Sequence, residues 1–191
     1  MLRRGIFLLF ICLASGLLAR PIPAVDIGAK IGNFKLTDES GNTHTLNSYS
    51  GKIVVFVFWS YKCPSAIRYT NRLDVLQDEY DKSRVVILGV STGNSETATA
   101  IQANKVNLNI NFPVILDQDG SLATMLGATH IPSVFIIDGD ARLQYRGAID
   151  NDKRIGDKNR RAYAEDAIDD LLSSRPVAVH EIEAKGCIIR P

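Results

Sequence analysis

A chain of 191 residues with 46% hydrophobic content has enough apolar side chain for one domain-sized core. Its 22 basic and 21 acidic residues leave a formal net charge of +1, so no overall field draws it to nucleic acid or to an anionic membrane surface.

The first 24 residues, MLRRGIFLLFICLASGLLARPIPA, set Arg3 and Arg4 before an apolar run from Gly5 to Leu18, followed by small residues and prolines. That is the layout of a secretory signal, and the run is shorter than the roughly 20 residues a spanning helix needs. The expectation is a signal peptide over residues 1–24, a mature domain over 25–174 and a tail over 175–191. The destination is periplasmic or extracellular, with no membrane attachment after cleavage. Cys12 reads as filler of the apolar run, because Leu9, Phe10 and Ile11 are not the small residues of a lipoprotein signal. Cys63 and Cys187 then remain in the exported chain, where an oxidising compartment permits a disulfide without requiring one.

NFKLTDESGNTHTL alternates about Ser40, Gly41 and Asn42, which predicts a small hairpin. KIVVFVFW, residues 52–59, is the continuous apolar, β-branched run of a strand buried on both faces. From Pro64, apolar residues recur at Ile67, Leu73, Leu76 and Tyr80, as on one face of a helix. RVVILGVS, residues 84–91, is a second buried strand, and residues 95–107 read as a helix capped by Ser95. FPVILD and SVFIIDG give two more strands about a short helix through Leu122 and Leu126, and ARLQYRG closes a hairpin. A helix in RRAYAEDAIDDLLSS precedes a tail without periodicity. Strands alternating with helices imply a mainly parallel sheet covered on both faces, with an antiparallel edge from the hairpin: a three-layer α/β domain.

In such sheets the reactive positions lie past the carboxyl ends of strands, and Cys63 is there. Pro64 suits the first helical position, which makes Cys63 the cap residue, facing free backbone N–H groups and the positive end of the helix dipole. Both favour the thiolate, as does neighbouring Lys62, whereas burial opposes it. Pro132 in GATHIPSVF stands just before a buried strand, and His130 two residues earlier is a candidate proton or hydrogen-bond donor.

Several stretches together, CPSAIRYTNRL after the first buried strand, FPVILDQDGSLATMLGATHIPSVFIIDGD, YRGAID and the ending LLSSRPVAVHEIEAKGCIIR, resemble the redoxin branch of the thioredoxin superfamily. The likeness is to the alkyl hydroperoxide reductase and thiol-specific antioxidant relatives, especially the exported peroxiredoxin-like proteins. It implies a thioredoxin-like α/β/α sandwich with a mixed central sheet and an N-terminal hairpin, and a redox-active thiol at Cys63. It also implies a second characteristic cysteine at Cys187, and a cis Ile131–Pro132 bond whose exposed backbone pairs with an incoming substrate.

The chain departs from the family pattern at three places. Ser60 stands where relatives of thioredoxin type carry a first cysteine, so a Cys-x-x-Cys disulfide is impossible. Read against peroxiredoxins, Ser60 matches their Thr/Ser-x-x-Cys and is placed to hydrogen-bond a peroxide. Phe56, however, stands where they have a proline, and Pro132 falls near the place of their later active-site arginine.

A single thiol attacks a disulfide or a peroxide and then needs a resolving thiol. Within the mature chain only Cys187 is available, and its role is open between resolving, structural and bystander. The expected function is an exported thiol-disulfide oxidoreductase or peroxiredoxin-like antioxidant, with Cys63, Cys187, Ser60 and Pro132 as site residues. Its partners are then a thiol or disulfide protein, or a small peroxide or thiol. The alternative is a thioredoxin-fold binding module without redox chemistry. Copper binding finds no support, since Cys63 has no neighbour at ligand spacing and His44, His130 and His180 are scattered; no cofactor or metal is expected. Arg68 and Arg72, a helical turn apart, are expected on one exposed face.

Overall fold

The computed structural model describes residues 24–152 and 155–189, so the signal-peptide reading lies, except for Ala24, outside the described residues. The central strand β3 (Ile53–Phe58) is buried at all six positions, as a β-branched and aromatic run covered on both faces must be. It pairs in parallel with β4 (Val85–Thr92), which pairs in parallel with β5 (Val114–Asp117). On its other side β3 runs antiparallel to β7 (Ser133–Ile137), followed by β8 (Leu143–Gly147) in the expected hairpin. Phe56 sits between Leu88 of β4 and Phe135 of β7, with the ring of Phe34 edge-on to it at 5.5 Å. The expected N-terminal hairpin is β1 (Lys35–Thr37) with β2 (Thr43–Thr45), its turn held by the Asp38 carboxylate, which accepts from the amides of Ser40 and Asn42. Asp38 also bridges to Ile115, so the hairpin lies against β5 at the edge of the sheet.

The helix expected from Pro64 is two: α1 (Pro64–Arg68) and α2 (Thr70–Glu79), interrupted at Tyr69. The Thr70 hydroxyl donates to the Ile67 carbonyl at 2.8 Å, a local bond that competes with the helical ladder, and the Tyr69 phenol donates to buried Asp150. The next helix, α3 (Ala98–Asn107), is capped by Thr97 rather than Ser95; the Thr97 hydroxyl oxygen accepts from the Ala100 amide at 3.2 Å. The Ser95 carbonyl instead accepts from the Lys62 ammonium, and Glu96 turns into the interior, 4% exposed. Short α4 (Ser121–Leu126) follows β5, and β6 (His130–Ile131) precedes Pro132. The last helix, α5 (Tyr163–Leu172), buries Ala164, Ala167 and Ile168.

The tail, without periodicity in sequence, contributes two short strands. β9 (Glu181–Ile182) extends the sheet, giving the order β5-β4-β3-β7-β8-β9, and β10 (Cys187–Ile188) pairs with β6 outside it. The β9 contact explains the YRG stretch. The Arg146 guanidinium holds the Glu181 carboxylate at 3.0 Å, and Gly147, at φ +130°, admits the tail so closely that a Cβ there would meet the Ile182 carbonyl oxygen at 1.7 Å. The Ala148 amide then donates to that carbonyl at 3.0 Å.

Phe56→Ala is expected to cost about 3–5 kcal/mol of stability, since the ring is wholly buried between two strands and its loss leaves a cavity; denaturant unfolding checks this. Gly147→Ala should leave the domain folded but free the tail, seen as faster hydrogen exchange at the Ala148 amide and unchanged exchange in β3.

Candidate active site

β3 ends at Phe58, opposite Ser133, the first residue of β7. That register sets the turn after β3, which carries Ser60 and Cys63, at the same end of the sheet as Pro132. Cys63 is the cap residue of α1, with extended backbone angles and Pro64 following, as expected. Its sulfur, however, makes no capping hydrogen bond to the free amides of the helix, and α1 is only five residues long. Sγ is instead bonded to Sγ of Cys187 at 2.07 Å, closing a sequence separation of 124 residues. Cys63 is 3% exposed; Cys187 is half-buried.

The Ile131–Pro132 bond is cis, and the Ile131 carbonyl oxygen lies 3.4 Å from Cys63 Sγ. The preceding carbonyl, of His130, accepts from the Ser133 hydroxyl at 2.7 Å, which fixes the loop across the proline. β10 lies antiparallel along this loop, Cys187 opposite Ile131 and Ile188 opposite His130, and the ladder continues through the Ile189 amide, which donates to Thr129 at 2.9 Å. Alternation along the two-stranded ribbon puts the His130 side chain on the face opposite Cys187. Its Nδ1 faces the Thr129 hydroxyl at 3.0 Å, so the ring is not set against the disulfide.

Ser60 does not point its proton toward the sulfurs. Its hydroxyl donates to one oxygen of Glu96 at 2.6 Å, and Ser91 donates to the other, also at 2.6 Å. Ser60 also accepts from the Lys62 amide at 3.1 Å. The buried carboxylate thus joins the Cys63 turn to the end of β4, a link that periodicity conceals because Glu96 falls in a stretch that reads as an ordinary helix start. The Lys62 ammonium lies on the Ser95 carbonyl and 5.7 Å from the Tyr61 ring centre.

The expectation of one exposed Arg68–Arg72 face needs correction. Arg68 is exposed, but Arg72 is drawn in by Asp150 at 3.1 Å and Asp152 at 3.3 Å and packs over the Tyr69 ring at 4.4 Å. Asp150 also takes Arg160 at 3.1 Å. Burial first, and then the hydrogen bond to Asp150, push the Tyr69 phenol far above its ordinary range, so it stays a donor at any working pH. A cleft of about 440 Å³ lies between this cluster, Pro132 and the tail at Lys185 and Gly186. Of the four residues expected from sequence, Cys63, Cys187 and Pro132 lie together, while Ser60 is turned to Glu96. Sequence reasoning missed Glu96, Gly147 and Gly186, of which only the glycines left a trace, in YRG and KGC.

Among known proteins, thiol-disulfide oxidoreductase ResA of Geobacillus thermodenitrificans is 28% identical over 121 residues, 63% of this chain and 68% of that one. Of solved structures, a conserved protein from Geobacillus kaustophilus superposes with a TM-score of 0.76 at 24% identity, over 88% of this chain and 96% of that one. A secreted disulfide oxidoreductase from Mycobacterium tuberculosis superposes at 0.51 and 24% identity, over 58% of this chain and 79% of that one. Both likenesses are of fold, and the fold is shared with the thioredoxin domain of a thiol-disulfide oxidoreductase from Bacteroides vulgatus, which superposes with a TM-score of 0.53 at 20% identity, over 63% of this chain and 86% of that one. The AhpC/TSA family model matches residues 27–146, from the segment before the hairpin to the arginine of β8, and the chain belongs to that family.

Proposed function

We propose that this chain is an exported thiol-disulfide oxidoreductase that cycles between a dithiol and the Cys63–Cys187 disulfide, exchanging with a protein thiol or disulfide. The observation that carries the reading is the disulfide itself: it joins the turn after the central strand to a tail strand laid along the Ile131–Pro132 loop. In the reduced chain the Cys63 thiolate attacks a partner disulfide, forming a mixed disulfide and releasing the partner's second sulfur as thiolate. Cys187 then attacks Cys63 Sγ, expels the partner's remaining cysteine and closes the disulfide found here. The partner disulfide gains two electrons, the chain loses two, and a dithiol donor restores the reduced form.

Ser60 cannot resolve the intermediate. Its role in this reading is to hold the Cys63 turn against Glu96, and that of Pro132 is to present the Ile131 backbone beside the sulfur. Disulfide exchange is favoured over peroxide reduction, because Pro132 stands where peroxiredoxins place an arginine and the Ser60 proton is committed to Glu96. The domain division at 25–174 and 175–191 fits a body that carries the nucleophile and a tail that carries its partner. Export is supported by the signal-like first 24 residues and by a disulfide suited to an oxidising compartment. Among the described residues no helix is long and apolar enough to cross a membrane.

Cys63→Ser should bring disulfide-exchange turnover to the background rate. Cys187→Ser should keep the first attack but accumulate a mixed disulfide, visible by intact-protein mass spectrometry. Wild-type turnover no faster than that of Cys63→Ser would return the chain to the class of redox-inert binding modules.

A further inference from the structure

The tail that closes the site is also a template for what opens it. β10 is a short extended segment, paired antiparallel with the loop before Pro132, with its cysteine bonded to Cys63. A partner segment that takes the tail's place beside Cys63 occupies this same edge, so tail and partner exclude one another. Around the cysteine the edge imposes different demands at each position. Gly186 passes so close to the loop that a Cβ would meet the Ile131 carbonyl oxygen at 1.9 Å and its carbon at 2.8 Å, with the Pro132 ring at 3.3 Å. These are backbone and ring atoms that cannot turn aside as a flexible side chain does, and the φ of +156° disfavours other residues besides. Ile188 is 67% exposed and imposes nothing, whereas Ile189 is buried at 9% and asks for an apolar side chain.

We infer that the His130–Ile131 edge is a sequence-selective docking site, and that its partner is a protein presenting a cysteine in an extended segment of the form Gly-Cys-x-apolar, the pattern of the chain's own Gly186-Cys187-Ile188-Ile189. This rests on the oxidoreductase reading and adds a substrate class to it. Selectivity comes from the carbonyl of Ile131: in a partner that follows the backbone path of Gly186, a side chain on the residue before the cysteine is driven into it, and the ladder that holds the sulfur against Cys63 does not form. The tail is then an internal competitor of the same chemical form, displaced when the partner docks and returning to expel it.

The test uses the full chain carrying Cys187→Ser with Gly186→Ala, in which the tail neither resolves nor seats on the edge. Two peptides, EIEAKGCIIRP and EIEAKACIIRP, are supplied with their cysteines as mixed disulfides of nitrothiobenzoate. Cys63 attacks the peptide sulfur, forms the chain–peptide disulfide and releases the coloured thiolate. The glycine peptide is expected to react at least about tenfold faster than the alanine peptide, the ratio that a modest difference in docking free energy produces. It should also react faster than in the single Cys187→Ser variant, whose tail still covers the edge. Equal rates for the two peptides would overturn the proposal while leaving the oxidoreductase reading intact, because Cys63 would still be reacting. If neither peptide nor a small aromatic disulfide reacted faster than with the same variant also carrying Cys63→Ser, the oxidoreductase reading would fall and this inference with it. A Cys63→Ser chain derivatised at Cys187 that reacted as fast as the glycine peptide would overturn the partner assignment and make a second copy of this chain the occupant.

Discussion

The register of β7 against β3 is the constraint from which the site follows. Ser133 opposite Phe58 fixes where one strand stops and the other starts, so the turn leading to Cys63 and the loop ending at Pro132 leave the sheet side by side. The pairing is enforced from both faces: β3 and β7 are buried throughout, and a slip of one residue would exchange the side chains packed above and below the sheet. A partly exposed strand tolerates small adjustments of register; this one does not, and the sulfur inherits its position from the core.

Three buried ionic or polar links tie the surrounding loops to that frame. Glu96 accepts from Ser60 and Ser91, which couples the Cys63 turn to β4. Asp150 gathers Tyr69, Arg72 and Arg160, which holds the break between α1 and α2 against the loop after β8. Asp38 accepts from the His44 ring and two turn amides, which closes the N-terminal hairpin over β5. In each, one carboxylate satisfies several donors, so a single buried charge is distributed over several hydrogen bonds rather than left to one partner. Losing the carboxylate in any of them strands more than one donor.

The strands were the most legible part of the chain, because a run such as IVVFVF has one stable environment, and so was the cysteine that follows it. The helix boundaries were less so: Thr70 and Thr97 set them through side-chain hydrogen bonds that hydrophobic spacing does not register. The tail was opaque for a different reason. Two-residue strands have no period to detect, and what holds β9 and β10 in place is mostly backbone, admitted by Gly147 and Gly186. The three departures from the family pattern, Phe56, Ser60 and Pro132, could be read as losses from sequence alone. The fold gives each an occupation: Phe56 fills the core, Ser60 anchors the turn through Glu96, and Pro132 ends the edge that β10 covers.

The two-point attachment of the tail has a kinetic side. β9 is held to the sheet by Arg146 and Gly147 independently of any sulfur chemistry, and only residues 183–186 separate it from Cys187. Five residue steps reach at most about 17 Å. When the disulfide opens, Cys187 therefore remains confined to a small volume about Cys63, at an effective concentration on the order of millimolar or higher. An external thiol at micromolar abundance meets that local excess on every encounter. In the proposed cycle, the lifetime of a mixed disulfide is then set by how often a four-residue leash returns, more than by the abundance of any reductant around it.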